Sequence, residues 1–123
     1  MKRIVLTLAL ATGSSLLQAA DNDRAYWSQR PDNCREFLKV HPTGEHRPES
    51  VGVKNWIAGY ITAYNRQTPD TYDITGSAEF ERVLRSVDRF CKDNPAADLT
   101  AAMEAVTAEL HPTRYQTQRQ AGH

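Results

Sequence analysis

One short stretch of the chain groups side chains that could bind a metal ion. They are two histidines and two glutamates: His41, Glu45, His46 and Glu49. Imidazole and carboxylate groups are common ligands of zinc. A metal site also needs its ligands in a fixed geometry, which a loop containing Pro42 and Gly44 does not provide. We therefore predict an exposed polar loop here, with no metal and no other cofactor.

The chain has no motif that would place a catalytic group. Serines, aspartates and histidines occur, but not in a Gly-x-Ser-x-Gly elbow, which exposes a nucleophilic serine. The sequence also lacks a Gly-rich phosphate loop and a His-Glu-x-x-His zinc helix. We predict that the protein is not an enzyme and has no catalytic residues.

Two cysteines, Cys34 and Cys91, lie 57 positions apart. An even pair of cysteines in a small protein of an oxidising compartment usually forms a disulfide. A bridge of this span stabilises a fold by about 4 kcal/mol in the chain-entropy description. A reactive or metal-binding pair is the alternative. The sequence has no Cys-x-x-Cys, and no histidine stands at zinc spacing from either cysteine.

The first 20 residues have the pattern of a secretory signal peptide. Lys2 and Arg3 precede an apolar run at residues 4–11, and small residues follow up to Ala20. The run is shorter than the roughly 20 apolar residues that span a bilayer, so we expect cleavage and no membrane anchor. Cleavage would remove two of the 15 basic residues and none of the 15 acidic ones. This charge balance argues against a nucleic-acid partner.

The most apolar segment of the exported part spans about residues 51–66, and we predict it to be the central helix of the fold. Large apolar residues recur along one face at helical spacing. They are Val53, Trp56, Ile57, Tyr60, Ile61 and Tyr64. The other face carries the small residues Ala58, Gly59, Thr62 and Ala63. A helix that is apolar or small all round is normally buried on both sides.

Three aromatic residues of this helix, Trp56, Tyr60 and Tyr64, follow one another at intervals of four. Together with Gly59 they are candidates for either a binding interface or a stripe of the core. Core is the more common role of such a stripe. The interface alternative stays open because the tyrosine hydroxyls and the indole N–H need hydrogen-bond partners.

Three further helices are predicted around the central one. The predicted N-caps of the four helices are, in chain order, Asp32, Ser50, Ser77 and Asn94. The disulfide would join the first helix to the third. The sequence thus predicts a signal peptide at 1–20, an all-α, four-helix, disulfide-braced domain at 21–112 and a disordered polar tail at 113–123.

Three short fragments carry a resemblance to a known family. They read Asn-Cys-Arg-Glu-Phe-Leu from residue 33, Asn-Trp-Ile-Ala-Gly-Tyr from residue 55 and Phe-Cys-Lys-Asp-Asn-Pro from residue 90. Spread over about residues 33–110, this arrangement resembles the HdeA/HdeB-like family of small periplasmic helical proteins. In that family a cysteine before an aromatic-Leu pair is bridged to a Cys-x-x-Asn-Pro-type segment. Cys34 and Cys91 match those two positions.

The resemblance implies a periplasmic acid-stress chaperone. Such a protein is dimeric near neutral pH, and acid opens it to expose apolar surface that holds unfolded clients. A weaker similarity, in the Gly-Tyr helix and the bridged layout, is to Tai-type immunity proteins, which block cell-wall amidase toxins. That similarity implies an inhibitor of one specific periplasmic protein. Both interpretations predict a protein client or partner, without nucleic acid and without a membrane anchor.

Overall fold

The computed structural model of the 123-residue chain describes residues 30–40 and 48–122. They form α1 (Cys34–Val40), α2 (Pro48–Gln67), α3 (Phe80–Asp93), α4 (Leu99–Leu110) and one 3-10 turn (His111–Thr113). The β-type pairing within these ranges is one isolated antiparallel bridge between Asp73 and Tyr115. The predicted all-α class with four helices is confirmed. The signal peptide predicted at 1–20 lies outside the described residues.

Among the described residues, helix α3 makes the most extensive contacts with other helices. It packs against both α1 and α4, and α1 also contacts α2 and α4. Apolar residues spaced three and four apart give α3 a continuous buried face. Its buried apolar residues are Val83, Leu84, Val87 and Cys91. Helix α2 lies to one side of this set, so the central position predicted for residues 51–66 is wrong, although the helix itself is present.

Helix α2 buries one face and exposes the other. Val53, Ile57 and Ile61 recur at every fourth position and are buried. The exposed residues include all four of the small ones: Ala58, Gly59, Thr62 and Ala63. A Cβ added to Gly59 would meet no atom within 4 Å, so no second backbone of residues 30–40 or 48–122 packs there. The predicted burial of both faces is therefore wrong, because small side chains permit a close neighbour but do not supply one.

Helix α2, with 20 residues, is the longest helix described. Its polar and charged positions keep it well below the apolar character of a bilayer-spanning segment. Across residues 30–40 and 48–122, no helix combines the length and the apolar character needed to cross a membrane.

The disulfide between Cys34 and Cys91 joins the start of α1 to the end of α3. The Sγ atoms are 2.11 Å apart, the Cα atoms are 4.7 Å apart, and both residues are completely buried. The predicted bridge is confirmed, and it fits an oxidising compartment. Helix α1 has seven residues, too few to persist without tertiary contacts. The covalent link therefore holds the weakest helix against the central one.

The loop between α3 and α4 caps the start of α1. The Cys34 N–H donates to the Ala97 carbonyl at 2.8 Å, and the Arg35 N–H donates to the Pro95 carbonyl at 2.9 Å. The first N–H groups of a helix have no partner within the helix, and this loop supplies two. Because these carbonyls accept from α1, α4 begins only at Leu99. The start predicted at the Asn-Pro pair is therefore wrong.

The other helix starts also differ from the predicted N-caps. At α1 the cap is Asn33 and not Asp32, because the Asn33 Oδ1 accepts from the Glu36 N–H at 3.1 Å. Ser50 is a buried residue inside α2, and Ser77 lies in the turn before α3. Each predicted cap is close to the true start, since serine, aspartate and asparagine also favour neighbouring turns.

The chain after α4 folds back onto the loop that joins α2 to α3. The Tyr115 N–H donates to the Asp73 carbonyl at 2.9 Å. In return, the Tyr115 carbonyl accepts from the N–H groups of Tyr72 and Asp73 at 2.8 and 3.0 Å. The structure thus differs from the disordered tail predicted for 113–123. The tail has no aliphatic side chain larger than that of alanine, but backbone hydrogen bonds do not depend on such side chains.

Candidate functional site

An open groove of about 510 Å³ runs between α2 and the α2–α3 loop. Its α2 wall consists of Ala58, Ile61, Thr62 and Asn65. Its loop wall consists of Tyr72, Asp73 and Thr75, and Phe80, the first residue of α3, completes the lining. The α2 wall covers about two helical turns, or about 10 Å along the helix axis. Both walls mix apolar and hydrogen-bonding groups. A groove of this length can hold two turns of a partner helix or a short extended peptide.

Side-chain hydrogen bonds from α2 hold the loop wall in place. The Asn65 Oδ1 accepts from the Ile74 N–H at 2.8 Å, and the Asn65 Nδ2 donates to the Asp73 Oδ1 at 3.4 Å. The same Asp73 oxygen accepts from the N–H and the hydroxyl of Thr75 at 3.0 and 2.9 Å. Ile74 is completely buried in the core. The loop is therefore anchored by both its backbone and one apolar side chain.

The C-terminal segment holds the same loop from the other side. The Arg114 Nε donates to the Asp70 carbonyl and to the Thr71 hydroxyl, each at 3.1 Å. The Arg114 Nη1 donates to the His111 carbonyl at 2.8 Å, which positions the guanidinium. The paired hydrogen bonds at Tyr115 continue this contact. Two separate parts of the chain thus fix the loop wall of the groove.

Tyr72 is the large exposed aromatic residue on this loop. Its residue surface is 42% exposed, while its backbone N–H is bonded to the Tyr115 carbonyl. Tyrosine is one of the residue types that most often dominates the binding energy of a protein interface. A side chain on a backbone that is already ordered loses less conformational entropy on binding. Tyr72 therefore has the position and the chemistry of an interface anchor.

The predicted aromatic stripe lies at the edge of the core and does not line the groove. Trp56, Tyr60 and Tyr64 are partly buried and pack against the core cluster. The ring centroids of Trp56 and Tyr60 are 5.8 Å apart. Gly59 lies on the same helix and is exposed. These contacts fit the core role of the stripe better than the interface role.

Arg30 connects the chain before α1 to two helices. Its guanidinium carbon lies 5.6 Å from the centroid of the Trp56 ring, on α2. Its Nη2 lies 2.9 Å from the Oδ2 of Asp98, the N-cap of α4. The Arg30 side chain is only 9% exposed, whereas the Asp98 side chain is 45% exposed, so the ion pair has one largely buried partner and one that faces water.

Asp98 has a lowered pKa in the folded protein. Burial alone raises the pKa of this carboxyl, but hydrogen bonds from Thr100 and Arg30 and the positive charge of Arg30 outweigh that effect. The fold therefore favours the ionised carboxylate. The resulting stability is present above the ordinary value of 3.8, and it is lost as the pH falls through the lower folded value.

A second groove, of about 530 Å³, lies between the chain before α1 and the start of α2, with Arg30, Glu36 and Val53 in its lining. It lies next to the ends of both described ranges. Of the predicted exposed loop, His41, Glu45 and His46 lie outside the described residues, as does the side chain of Glu49. Among the side chains that the structure does describe, no three metal-binding types come together.

The sequence pointed to polar residues of the α2 wall, Thr62 and Asn65, as members of a buried network or an interface, but not to the loop residues that form the other wall of the first groove. One local signal was available, because Asp-x-Thr at residues 73–75 is typical of a turn in which the aspartate binds the N–H two residues on. No local signal pairs this turn with Asn65 or Tyr115. Those contacts join parts of the chain that only the tertiary fold brings together.

Comparisons with protein-family models, with curated proteins and with solved structures found no match to this chain.

Proposed function

We propose that this protein binds one specific protein partner through the groove between α2 and the α2–α3 loop. The observation that carries the proposal is the exposed outer face of α2 beside an anchored loop that presents Tyr72. A partner that fills the groove would bury Tyr72 together with the small side chains of Ala58 and Thr62. Such an arrangement, an aromatic anchor beside small residues, suits close packing of a second protein.

The partner-binding proposal includes a site of action in the periplasm. Residues 1–20 have the pattern of a signal peptide, and the buried disulfide fits an oxidising compartment. The inhibitor role implied by the weaker resemblance to immunity proteins belongs to the same class of function. A covalently braced domain suits that role, since a surface that is already ordered loses less entropy on binding.

Ala58→Arg is expected to weaken partner binding by at least about tenfold, which corresponds to about 1.4 kcal/mol. Ala58 lines the groove and is exposed, so an arginine would occupy the groove without displacing the core. The measurement begins with capture of a stoichiometric partner from periplasmic extract at neutral pH on the immobilised mature protein. The captured protein is then titrated against the wild type and the variant.

Ala63→Arg is the matched control for this experiment. Ala63 is also an exposed alanine of α2, but it does not line the groove. We expect this variant to bind the partner as the wild type does, and both variants to keep the wild-type unfolding free energy within about 0.5 kcal/mol. Equal binding by the wild type and Ala58→Arg would contradict the proposed surface, and capture of no stoichiometric partner would contradict the function.

An acid-stress chaperone is the second candidate, and the contacts of Asp98 favour it. This carboxylate joins Arg30 to the start of α4 and has a lowered pKa, so strong acid weakens one of the two contacts by which Arg30 ties the chain before α1 to the bundle. Full protonation of the carboxylates would also leave the chain strongly positive, and self-repulsion would favour opening. The resemblance to the HdeA/HdeB-like family implies the same role.

The chaperone candidate predicts that the protein suppresses aggregation of a denatured client at about pH 2–3 and not at pH 7. Asp98→Asn keeps an N-cap side chain but removes the charge that acid would remove. We therefore expect this variant to be less stable than the wild type at neutral pH and to lose less stability on acidification. Light scattering of the client and chemical denaturation across pH measure the two effects. Protection that does not depend on pH would contradict this candidate.

A further inference from the structure

We infer that Arg114 is the positioning residue of the groove: its guanidinium holds the turn that leads into the loop wall and so fixes how Tyr72 is presented. This inference rests on the proposed function and deepens it by naming what controls the binding surface. It follows from the contacts of the guanidinium, from the left-handed backbone at Asp70 and from the closeness of Asp70 to Tyr72 in the chain.

The turn at Asp70 has a backbone conformation that L-amino acids seldom adopt. Within residues 30–40 and 48–122, Asp70 is the one non-glycine residue with a positive φ, +52°. Aspartate enters the left-handed region more readily than most residues, but this region is still less favourable than the extended and right-handed ones. A residue keeps such a conformation where surrounding contacts hold it. Asp70 therefore depends on contacts from outside the turn.

The Arg114 side chain supplies such contacts. Its Nε donates to the Asp70 carbonyl and to the Thr71 hydroxyl, each at 3.1 Å. The Thr71 hydroxyl in turn donates to the Pro69 carbonyl at 3.1 Å, so one connected set of hydrogen bonds covers residues 69–71. A hydrogen bond from a charged donor is stronger than one between two neutral groups. The acceptors here are neutral, so Arg114 holds the turn by the direction of its N–H groups and not by an ion pair.

The end of α4 orients the guanidinium. The Arg114 Nη1 donates to the carbonyl of His111, the C-cap of α4, at 2.8 Å. The backbone N–H of Arg114 donates to the same carbonyl at 3.4 Å. A guanidinium presents its N–H groups in a rigid planar fork, so a bond at Nη1 also sets the direction of Nε. Arg114 thus relates the position of the turn at Asp70 to that of α4.

The turn at Asp70 leads directly to Tyr72. One residue separates the two, so a change of φ at Asp70 would redirect the chain that carries the tyrosine. The Tyr115 carbonyl, next to Arg114 in sequence, accepts from the Tyr72 N–H at 2.8 Å. Loss of the Arg114 side chain would leave this bond but free the turn before it. Tyr72 would then sample more orientations, and the cost of ordering it on binding would rise.

The test replaces Arg114 by glutamine and by lysine in the mature protein with the disulfide intact. Hydrogen exchange is followed at the Tyr72 and Asp73 amides, which both donate to the Tyr115 carbonyl. We expect Arg114→Gln to lower their protection at least about tenfold, while the amides of α3 keep theirs. Lysine retains the charge but not the planar fork, so Arg114→Lys should resemble Arg114→Gln. Arg119→Gln, at an exposed arginine of the same segment, is the matched control and should leave protection unchanged.

Asp70→Gly tests whether Arg114 acts through the turn. Glycine adopts positive φ about as readily as negative φ, so the turn of this variant depends less on the guanidinium. Arg114→Gln alone should weaken binding of the captured partner several-fold. Adding Asp70→Gly to it should recover part of the lost affinity, which a general loss of stability would not explain.

Unchanged protection of the Tyr72 and Asp73 amides in Arg114→Gln would overturn the inference, as would a lysine variant that behaves like the wild type. An equal loss of protection in α3 would also overturn it, because the effect would then be one on overall stability. The exchange measurements use the free protein, so they still decide the inference if no partner is captured, an outcome that contradicts only the proposed function. If the partner binds Arg114→Gln as tightly as the wild type while Ala58→Arg releases it, the groove is the binding surface and Arg114 does not control it.

Discussion

Replacing both cysteines with serine is expected to lower the free energy of unfolding by about 2–5 kcal/mol. The Cys34–Cys91 bridge spans 57 positions and joins the seven-residue helix α1 to α3. Its loss restores conformational freedom to the unfolded chain, and it removes the covalent hold on a helix too short to be stable alone. Denaturant unfolding of the mature protein at neutral pH, followed by circular dichroism, measures the change.

Reduced wild-type protein is the control for this pair of substitutions. With a strong reductant present, the wild type should lose most of the stability that the double serine variant loses, because both lack the bridge. The serine variant should be somewhat less stable than the reduced protein, because it buries two hydroxyl groups at completely buried positions. Hydrogen exchange should then show the amides of α1 among the first to lose protection. If the double variant is as stable as the oxidised wild type, the disulfide does not have the stabilising role that we assign to it.

Gly76→Ala is expected to destabilise the protein by about 2–4 kcal/mol. Gly76 has φ +56°, a left-handed conformation that costs an alanine roughly 1–2 kcal/mol. Its added Cβ would also collide with the backbone carbonyl oxygen of Thr113. The C-terminal segment would have to move away from the α2–α3 loop, which would loosen the hydrogen bonds at Tyr115. Denaturant unfolding measures the free energy of unfolding. Titration with the partner measures whether the loosened loop, which carries Tyr72, binds the partner less tightly.

Gly122→Ala separates the two causes of this destabilisation. Gly122 also has a positive φ, +81°, but a Cβ there would meet no atom within 4 Å. This variant should therefore show at most the conformational part of the cost. If Gly76→Ala and Gly122→Ala have the same small effect, the close approach of Thr113 does not hold the loop. A large effect at Gly76 alone would confirm that the C-terminal segment is part of the fold.

The helices were predictable because each carries a local periodic signal. In α3 the residues Val83, Leu84, Val87 and Cys91 follow one another at helical spacing, and all four are buried as that spacing requires. The disulfide was predictable from the number of cysteines. The ends of the helices were less predictable than the helices themselves. Asp32 and Asn33 are both good N-caps, and only the hydrogen bond from the Glu36 N–H to Asn33 distinguishes them.

The candidate site was not predictable in the same way. The small residues of α2 suggested a helix that is buried on both sides. In the structure α1 and α4 pack against α3, and no described element covers the outer face of α2. The loop wall depends on Asn65 and Tyr115, which lie on opposite sides of the loop in sequence. Tyr72 can be identified as an interface anchor only from those contacts. The sequence around an exposed tyrosine does not show whether hydrogen bonds hold its backbone in place.

The sequence by itself thus determined which segments are helical, which cysteines pair and which residues are too polar for the core. These properties follow from spacing and composition within one segment, so they do not need the rest of the fold. Tertiary structure decided which helix is central, which face of α2 stays open and where the C-terminal segment lies. These depend on hydrogen bonds and packing between distant segments, and many arrangements satisfy the same local pattern. The groove beside Tyr72 belongs to this second group.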